Sequence, residues 1–408
     1  MPRNKGRSTM AKLAINGGSA LRTKPFPTWT VTTPADKKGL LQVYQSGEWG
    51  ADGEQNQAFQ EAFAVYSDAK HCLTVANGTV SIEWILRALG IGRGDEIIVP
   101  PYTFIASVSA LIYAGVRPVF ADIDKGTFLL SPESAERVIT RRTKAIMPVY
   151  VGGRPADLEA FELLCQKYGL YLIGDAAQAV GSEFNHRGIG SYGVAASVSC
   201  QNSKNLTCGE GGLILTNSDA LFVRLQQMLN GGKDESGRYA SLGTASGMSE
   251  FQASMLNTQF LSLPAQISRR MENAAHLTSL LKDLEFVYTL KDDPRITKNS
   301  YHLFLFGLRE EFFQGISRQR FIEAVNAEGI PLEKGYPPVY DAPCITSPYS
   351  VRCVGGSVNA SPDTPVTEAV ARHEGCWLYH SVLLGRRNDM EDIAAALAKV
   401  YAHLDELR

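Results

Sequence analysis

Between residues 70 and 216 the chain alternates short, continuous apolar runs with segments of helical spacing. That alternation restricts the architecture of the 408-residue chain more than any other feature. The runs HCLTVA (71–76), IIVP (97–100), VRPVFADI (116–123), KAIMPVYV (144–151), LYLIGDAA (170–177), VAASVSC (194–200) and LILT (213–216) are too short for ordinary helices. Strands become continuously apolar when both faces of their sheet are covered, and intervening helices imply parallel crossovers. The helical segments include VSIEWILRALG (80–90), TFIASVSALIYAG (103–115) and PADLEAFELLCQKYG (155–169), the last stopped by a glycine. The expectation is an α/β fold with a mostly parallel central sheet flanked by helices.

Long helical material follows over 249–286, then a strand in YHLFLFGL (301–308), a helix in SRQRFIEAVNAEG (317–329), a Pro/Ser-rich loop and a final helix from Asp389 to Leu407. This is the outline of a smaller C-terminal α/β domain. The expected division is a lead-in over 1–26, a large domain over 27–265 and a small one over 266–408.

Several function classes drop out on composition. A formal net charge of −2 leaves no electrostatic footprint for nucleic acid or an anionic membrane. Seven cysteines without a CxxC pair, and seven histidines without HExxH or HxxxH, fit a reducing compartment with structural thiols and no metal centre. Residues 97–116 are uncharged and long enough to cross a bilayer, but Pro100 and Pro101 split them into strand, turn and helix. The N-terminal MPRNKGRSTMAK is basic without an apolar core, which reads as a disordered lead-in and not a secretory signal. A soluble, cytoplasmic protein is expected.

Three glycine loops compete as phosphate sites. GIGSYG (188–193) matches GxGxxG, yet it precedes the strand-like VAASVSC, whereas a dinucleotide fingerprint must open a helix. GIGRGDE (90–96) closes a helix and enters a strand. ANGTVSIEW (76–84) follows a strand and opens a helix, so the N–H groups at Gly78 and Thr79, with the Thr79 hydroxyl, form either an anion site or a plain helix cap.

Lys204 is the residue that selects the chemistry. It sits in SVSCQNSKNLTCGEGG (197–212), where Glu210 is the one other charge. A lysine among few charges keeps its amine free to attack carbonyls. Asp175 lies just past the apolar run of LYLIGDAAQA, and Ser199 at the end of the next, where carboxyl ends of parallel strands gather ligands. A phosphate nest, a strand-end carboxylate and such a lysine together point to pyridoxal 5'-phosphate, whose pyridine nitrogen needs an acid partner and whose aldehyde needs an amine.

With these residues in view, the chain resembles the DegT/DnrJ/EryC1/StrS family of pyridoxal-phosphate-dependent sugar aminotransferases. The likeness runs from LAINGG (13–18) to the C-terminal helix through SGEW, ANGT, GDEIIVPPYTFIAS (94–107), PVFADID, PADL, GDAAQAVGS (174–182), the Lys204 segment, SEFQASML and GYPPVY (335–340). The resemblance implies a type I transferase fold and a homodimer. It implies that Lys204 carries the Schiff base and shuttles the proton, that Asp175 pairs with the pyridine nitrogen and that Gln178 lies near the ring hydroxyl. By the same resemblance Phe104 stacks on the ring and Gly78, Thr79 and Ser199 hold the phosphate, against the plainer readings of Phe104 as a core aromatic and Ser199 as a capped turn. Trp49 and Tyr336 become candidate substrate contacts.

The implied reaction converts the ketone of a sugar or cyclitol to an amine with glutamate or glutamine as donor, in aminocyclitol or amino-sugar biosynthesis. LAINGGSALRTKPFPTW, the QNSK variant and WLYHSVLLG (377–385) resemble the inosose aminotransferase and 3-amino-5-hydroxybenzoate synthase branch. A synthase-like dehydratase/aminotransferase is one alternative. Dehydrating relatives usually carry histidine in place of the lysine, which Lys204 opposes. A nicotinamide oxidoreductase on GIGSYG would need a helix after Gly193, and a non-catalytic cofactor-binding regulator would need a DNA-binding segment. Two departures stand out. Ala245 and Gly247 occupy positions where the family usually has Asn and Arg or Asn reaching the neighbouring subunit's phosphate, and Tyr150 stands where histidine is common.

Overall fold

The apolar runs form one seven-stranded sheet in a computed structural model that describes residues 12–359 and 361–408. In chain order the strands are β1 (His71–Val75), β2 (Glu96–Val99), β3 (Arg117–Phe120), β4 (Thr143–Ile146), β5 (Tyr171–Asp175), β6 (Ala195–Ser199) and β7 (Gly212–Thr216). Their order across the sheet is β1-β7-β6-β5-β4-β2-β3. Successive residues serve opposite faces. Leu73, Ile97, Val99, Ala145 and Ile173 join one buried cluster, whereas Cys72, Ile98, Ile146 and Leu172 join another. Both faces being covered is why the strands show no polar alternation.

The pairs β2–β3, β2–β4, β4–β5 and β5–β6 are parallel, but β7 runs antiparallel to both β6 and β1. No helix separates β6 from β7, so the chain cannot cross over and instead returns beside the strand it has just left. The segment that makes this return carries Lys204. Helices Gly78–Ala88, Ala106–Tyr113 and Leu158–Tyr168 supply the crossovers. The uncharged stretch 97–116 resolves into most of β2, a turn, a helix over Ala106–Tyr113 and the approach to β3. Among the described residues no helix is long and apolar enough to cross a membrane.

Helix Leu263–Leu281 leads from the sheet into a second unit, whose antiparallel sheet joins β8 (Val287–Thr289), β9 (Leu303–Leu308), β10 (Glu333–Lys334) and β11 (Gly375–Tyr379) in the order β8-β9-β11-β10. Its core unites Leu277, Phe304, Phe306, Phe321, Leu378 and Leu397. The expected lead-in divides. Residues 1–11 lie outside the described residues, while Leu13 is fully buried in this second core. Arg22 is buried too, pairing with Asp389 at 2.8 Å and Asp392 at 2.7 Å on the last helix. Removing one partner of a buried ion pair strands the other charge. Arg22→Met is therefore expected to lower stability by about 3 kcal/mol, read as an earlier midpoint in urea denaturation.

Candidate active site

Strand register brings the site together. Val75 and Ser199 both pair with Gly212, and Asp175 pairs with Ser197. The turns that follow β1, β5 and β6 therefore open on one edge of the sheet. They line a cavity of about 810 Å³, to which Gly78, Thr79, Phe104, Asp175, Gln178, Ser199, Lys204 and Tyr336 all contribute. Eight of the nine residues singled out from sequence thus meet in one place. Trp49 does not: it is half exposed, and its indole stacks on Tyr44 with ring centroids 6.2 Å apart.

The helix start at Gly78 is capped and still leaves N–H groups free for an anion. The Asn77 side chain accepts from Val80 N–H at 3.0 Å and caps the helix. Helical geometry then leaves the N–H groups of Gly78 and Thr79 without intrahelical acceptors, beside the hydroxyls of Thr79 and Ser199. Glycine is required here by close approach. A Cβ on Gly78 would lie 2.9 Å from the Ser199 Cβ, and one on Gly212 would lie 2.3 Å from the Asn77 carbonyl.

Asp175 is buried, which pushes its carboxyl above the usual range against hydrogen bonds that pull it down. Ser107 Oγ donates to one carboxylate oxygen at 2.6 Å and Ala177 N–H to the other at 3.2 Å. Ser107 is held in turn by Thr103 at 2.8 Å. Gln178 Oε1 accepts from Gly152 N–H at 2.8 Å, which turns its NH₂ toward Tyr336, 3.0 Å from the phenol oxygen. Phe104 lines the cavity and is 53% exposed, as a stacking platform would be and a core aromatic would not.

Lys204 projects from a closed turn. Cys200 N–H bonds Gly211 O at 2.8 Å and Cys208 N–H bonds Cys200 O at 3.2 Å, pinching the loop shut at its base. The side chain of Gln201 accepts from both N–H and Oγ of Ser203 at 2.8 Å. Burial lowers the amine's pKa to about 8, with Asp175 and Cys200 opposing the shift. A free amine and a buried acid, with neutral donors for an anion at one end, fit pyridoxal phosphate. Its phosphate suits the helix start, its ring the Phe104 face, and its nitrogen and aldehyde suit Asp175 and Lys204.

Ser107, Thr103, Asn77 and His302 belong to the site but were not assigned from sequence. Ser107 lies in the first turn of helix Ala106–Tyr113, and Thr103 reaches it from the turn that precedes this helix. His302 was hidden at the head of an apolar strand. GIGSYG lies away from the cavity, with a short 3₁₀ turn at Ile189–Ser191 and then β6 in place of the required helix. Among the described residues no cluster suited to a metal ion is present.

Residues 32–399 match the DegT/DnrJ/EryC1/StrS aminotransferase family. The L-glutamine:2-deoxy-scyllo-inosose aminotransferase of Streptoalloteichus tenebrarius is 34% identical, over 97% of this chain and 99% of its own length. The crystal structure of 3-amino-5-hydroxybenzoic acid synthase superposes with a TM-score of 0.85 at 28% identity, covering 94% of this chain and all of that one. DesI in the presence of its TDP-sugar product gives 0.82 at 28% identity, with 96% of each chain covered.

The amine at Lys204 predicts its own titration. In cofactor-free protein, modification of this lysine by an amine-directed reagent is expected to rise with pH through a midpoint near 8, as the neutral form grows, and not near the ordinary 10.5. Peptide mapping at each pH checks it.

Proposed function

The chain belongs to the DegT/DnrJ/EryC1/StrS aminotransferase family, and on that premise we propose that it transfers the amino group of L-glutamine to the ketone of a cyclitol of the scyllo-inosose type, with pyridoxal phosphate held through Lys204. The observation that carries this reading is 34% identity, over nearly the whole chain, to an enzyme named for that donor and that ketone. Its support in the site is a single amine of lowered pKa set opposite a buried carboxylate.

When bound, the cofactor supplies an electron sink for the carbon that loses or gains the amino group. The protein's own residues do the rest. Asp175, fixed by Ser107 and Ala177, offers a carboxylate oxygen to a ring N–H. A cation seated against it would lower that raised pKa, so Asp175 would hold a proton on the ring nitrogen when the cofactor is bound. The N–H groups of Gly78 and Thr79 and the hydroxyls of Thr79 and Ser199 hold the phosphate. The Gln178 NH₂ donates toward the ring oxygen. Lys204 Nζ is free base in a useful fraction near neutral pH, and it takes a proton as an amine and returns it as an ammonium. Tyr336 and His302 border the space left for the cyclitol.

A homodimer is part of the proposal. Tyr113 at the cavity, and Tyr44 and Trp49 nearby in sequence to one another, leave large aromatic surface exposed in a single chain. A second copy would cover such surface, and Trp49 would then face the partner. A cytoplasmic location accords with seven cysteines, none of which is paired in a disulfide.

Borohydride is expected to fix pyridoxal phosphate to Lys204, detectable by peptide mass. L-glutamine should abolish the visible band of the loaded protein, and a keto-cyclitol should restore it. Lys204→Ala is expected to cut turnover by about 10³-fold or more. Use of a TDP-linked keto sugar, with keto-cyclitols inert, would overturn the substrate assignment. An unresponsive band would overturn the reaction.

A further inference from the structure

The residues on either side of Lys204 are each held by a histidine, Ser203 by His380 and Asn205 by His302, the second of which also borders the cavity. His380, just past β11, is buried, and its Nδ1 lies 3.2 Å from the guanidinium NH₂ of Arg270. A guanidinium can only donate, so Nδ1 accepts and the ring hydrogen resides on Nε2. That Nε2–H donates at 2.9 Å to the carbonyl of Ser203, the residue preceding the lysine. On the other side, Asn205 Nδ2 donates to Ser300 O at 2.7 Å, which turns Asn205 Oδ1 toward His302. His302 Nδ1–H then donates to that oxygen at 3.3 Å.

The two imidazoles stack with centroids 5.6 Å apart, and each grips a residue flanking Lys204. Trp29 extends the grip, donating its Nε1–H to Asn202 O at 2.9 Å and lying edge-on to His380 at 4.6 Å. Arg270 itself is fully buried, and among the described residues it has no carboxylate partner and its Nε and NH1 find no acceptor. A charge kept in that condition is costly. Burial and the Arg270 charge hold His380 neutral, its pKa lowered to about 3, and His302 is likewise pushed well below the usual imidazole range. Tyr301, preceding His302, has φ of +48°, a strained backbone that the fold must impose.

We propose that His380 and His302 form a two-sided clamp on the residues flanking Lys204, His380 through the Ser203 carbonyl and His302 through the Asn205 side chain, with Arg270 locking His380 in the tautomer that can donate to Ser203. They are positioning residues: they touch the lysine's neighbours and not its amine. The inference rests on the reading of Lys204 as the cofactor lysine. Holding the peptide on both sides leaves the side chain as the one mobile part, so the amine returns to the same place whenever it is released. Misplacement by about 1 Å costs on the order of 100-fold in such geometries.

The test compares His380→Gln, whose terminal NH₂ can reach the Ser203 carbonyl, with His380→Asn, one carbon shorter. In cofactor-free protein, hydrogen exchange across residues 200–207 is expected to quicken about tenfold in H380N and to be largely restored in H380Q. Fixation of added pyridoxal phosphate by borohydride should slow by a similar factor in H380N alone. Equal behaviour of the two variants, or an H380N indistinguishable from the native protein, overturns the clamp.

Lys204→Ala separates the two claims. Undiminished fixation in that variant sinks the assignment of the lysine and not the clamp. Should H380N fail to fold, ¹⁵N-histidine spectra of the native protein decide. His380 must remain neutral with its hydrogen on Nε2, and His302 neutral with its hydrogen on Nδ1, from about pH 6 to about pH 9. A reversed or charged ring overturns the proposal.

Discussion

Withdrawing the Lys204 amine from water without giving it an ion-pair partner is the constraint from which the site follows. A salt bridge would return the amine to its charged form, and the nearest candidate, Asp175, is engaged by Ser107 and Ala177. Its charge is close enough to oppose the lowering of the lysine's pKa but is outweighed by burial. The sheet makes this arrangement possible. Asp175 ends β5 and Ser199 ends the adjacent parallel strand β6, so the acid and the lysine loop leave the same edge from neighbouring positions. Both sheet faces are packed, and the cavity opens at that edge, where the strands' carboxyl ends gather.

What could be read from sequence was what local chemistry determines. The apolar runs located all seven strands, and the isolation of Lys204 among small polar residues identified the amine that the structure buries. The direction of β7 was hidden, because LILT looks the same in either orientation and the deciding fact is the lack of a helix between Cys200 and Gly211. The double glycine at 211–212 was visible, but its reason was not. Gly212 lies against the Asn77 carbonyl, a contact between residues distant in the chain. His302 and His380 were invisible as neighbours of Lys204 for the same cause. Each sits at an end of an apolar strand in the second unit, and no spacing rule links them to contacts 97 and 177 residues earlier.

That division matters for how the enzyme is put together. The sheet supplies the acid, the anion cradle and the lysine, while the second unit and the N-terminal segment steady the lysine's backbone. Leu13 in the second core and Arg22 on the last helix fasten the N-terminal segment, which places Trp29 against His380 and Asn202. Loosening the N-terminal segment would therefore reach the lysine through Trp29 with no residue of the cavity altered.

The anion cradle carries the remaining argument. Among the residues lining the cavity, Lys204 is the one lysine or arginine, and Glu83 and Glu210 add negative charge to the lining. Within one chain, a phosphate dianion seated there would therefore meet neutral donors, chiefly backbone N–H groups at a helix start with its dipole behind them. The segment 244–248 runs beside this turn, with Ser246 O accepting from Ala76 N–H at 2.8 Å and Ser246 Oγ from Trp84 Nε1 at 2.7 Å. Ala245 and Gly247 in that segment offer no side-chain donor, and a Cβ at Gly247 would lie 2.6 Å from the Ala51 methyl. The departure from the usual family residues is thus built into the packing. On the proposed reading, the phosphate would depend on the close seating of Gly78 against Ser199, where a Cβ on Gly78 would lie 2.9 Å from the Ser199 Cβ, and residues 245 and 247 of this chain would bring no cation to a neighbouring copy.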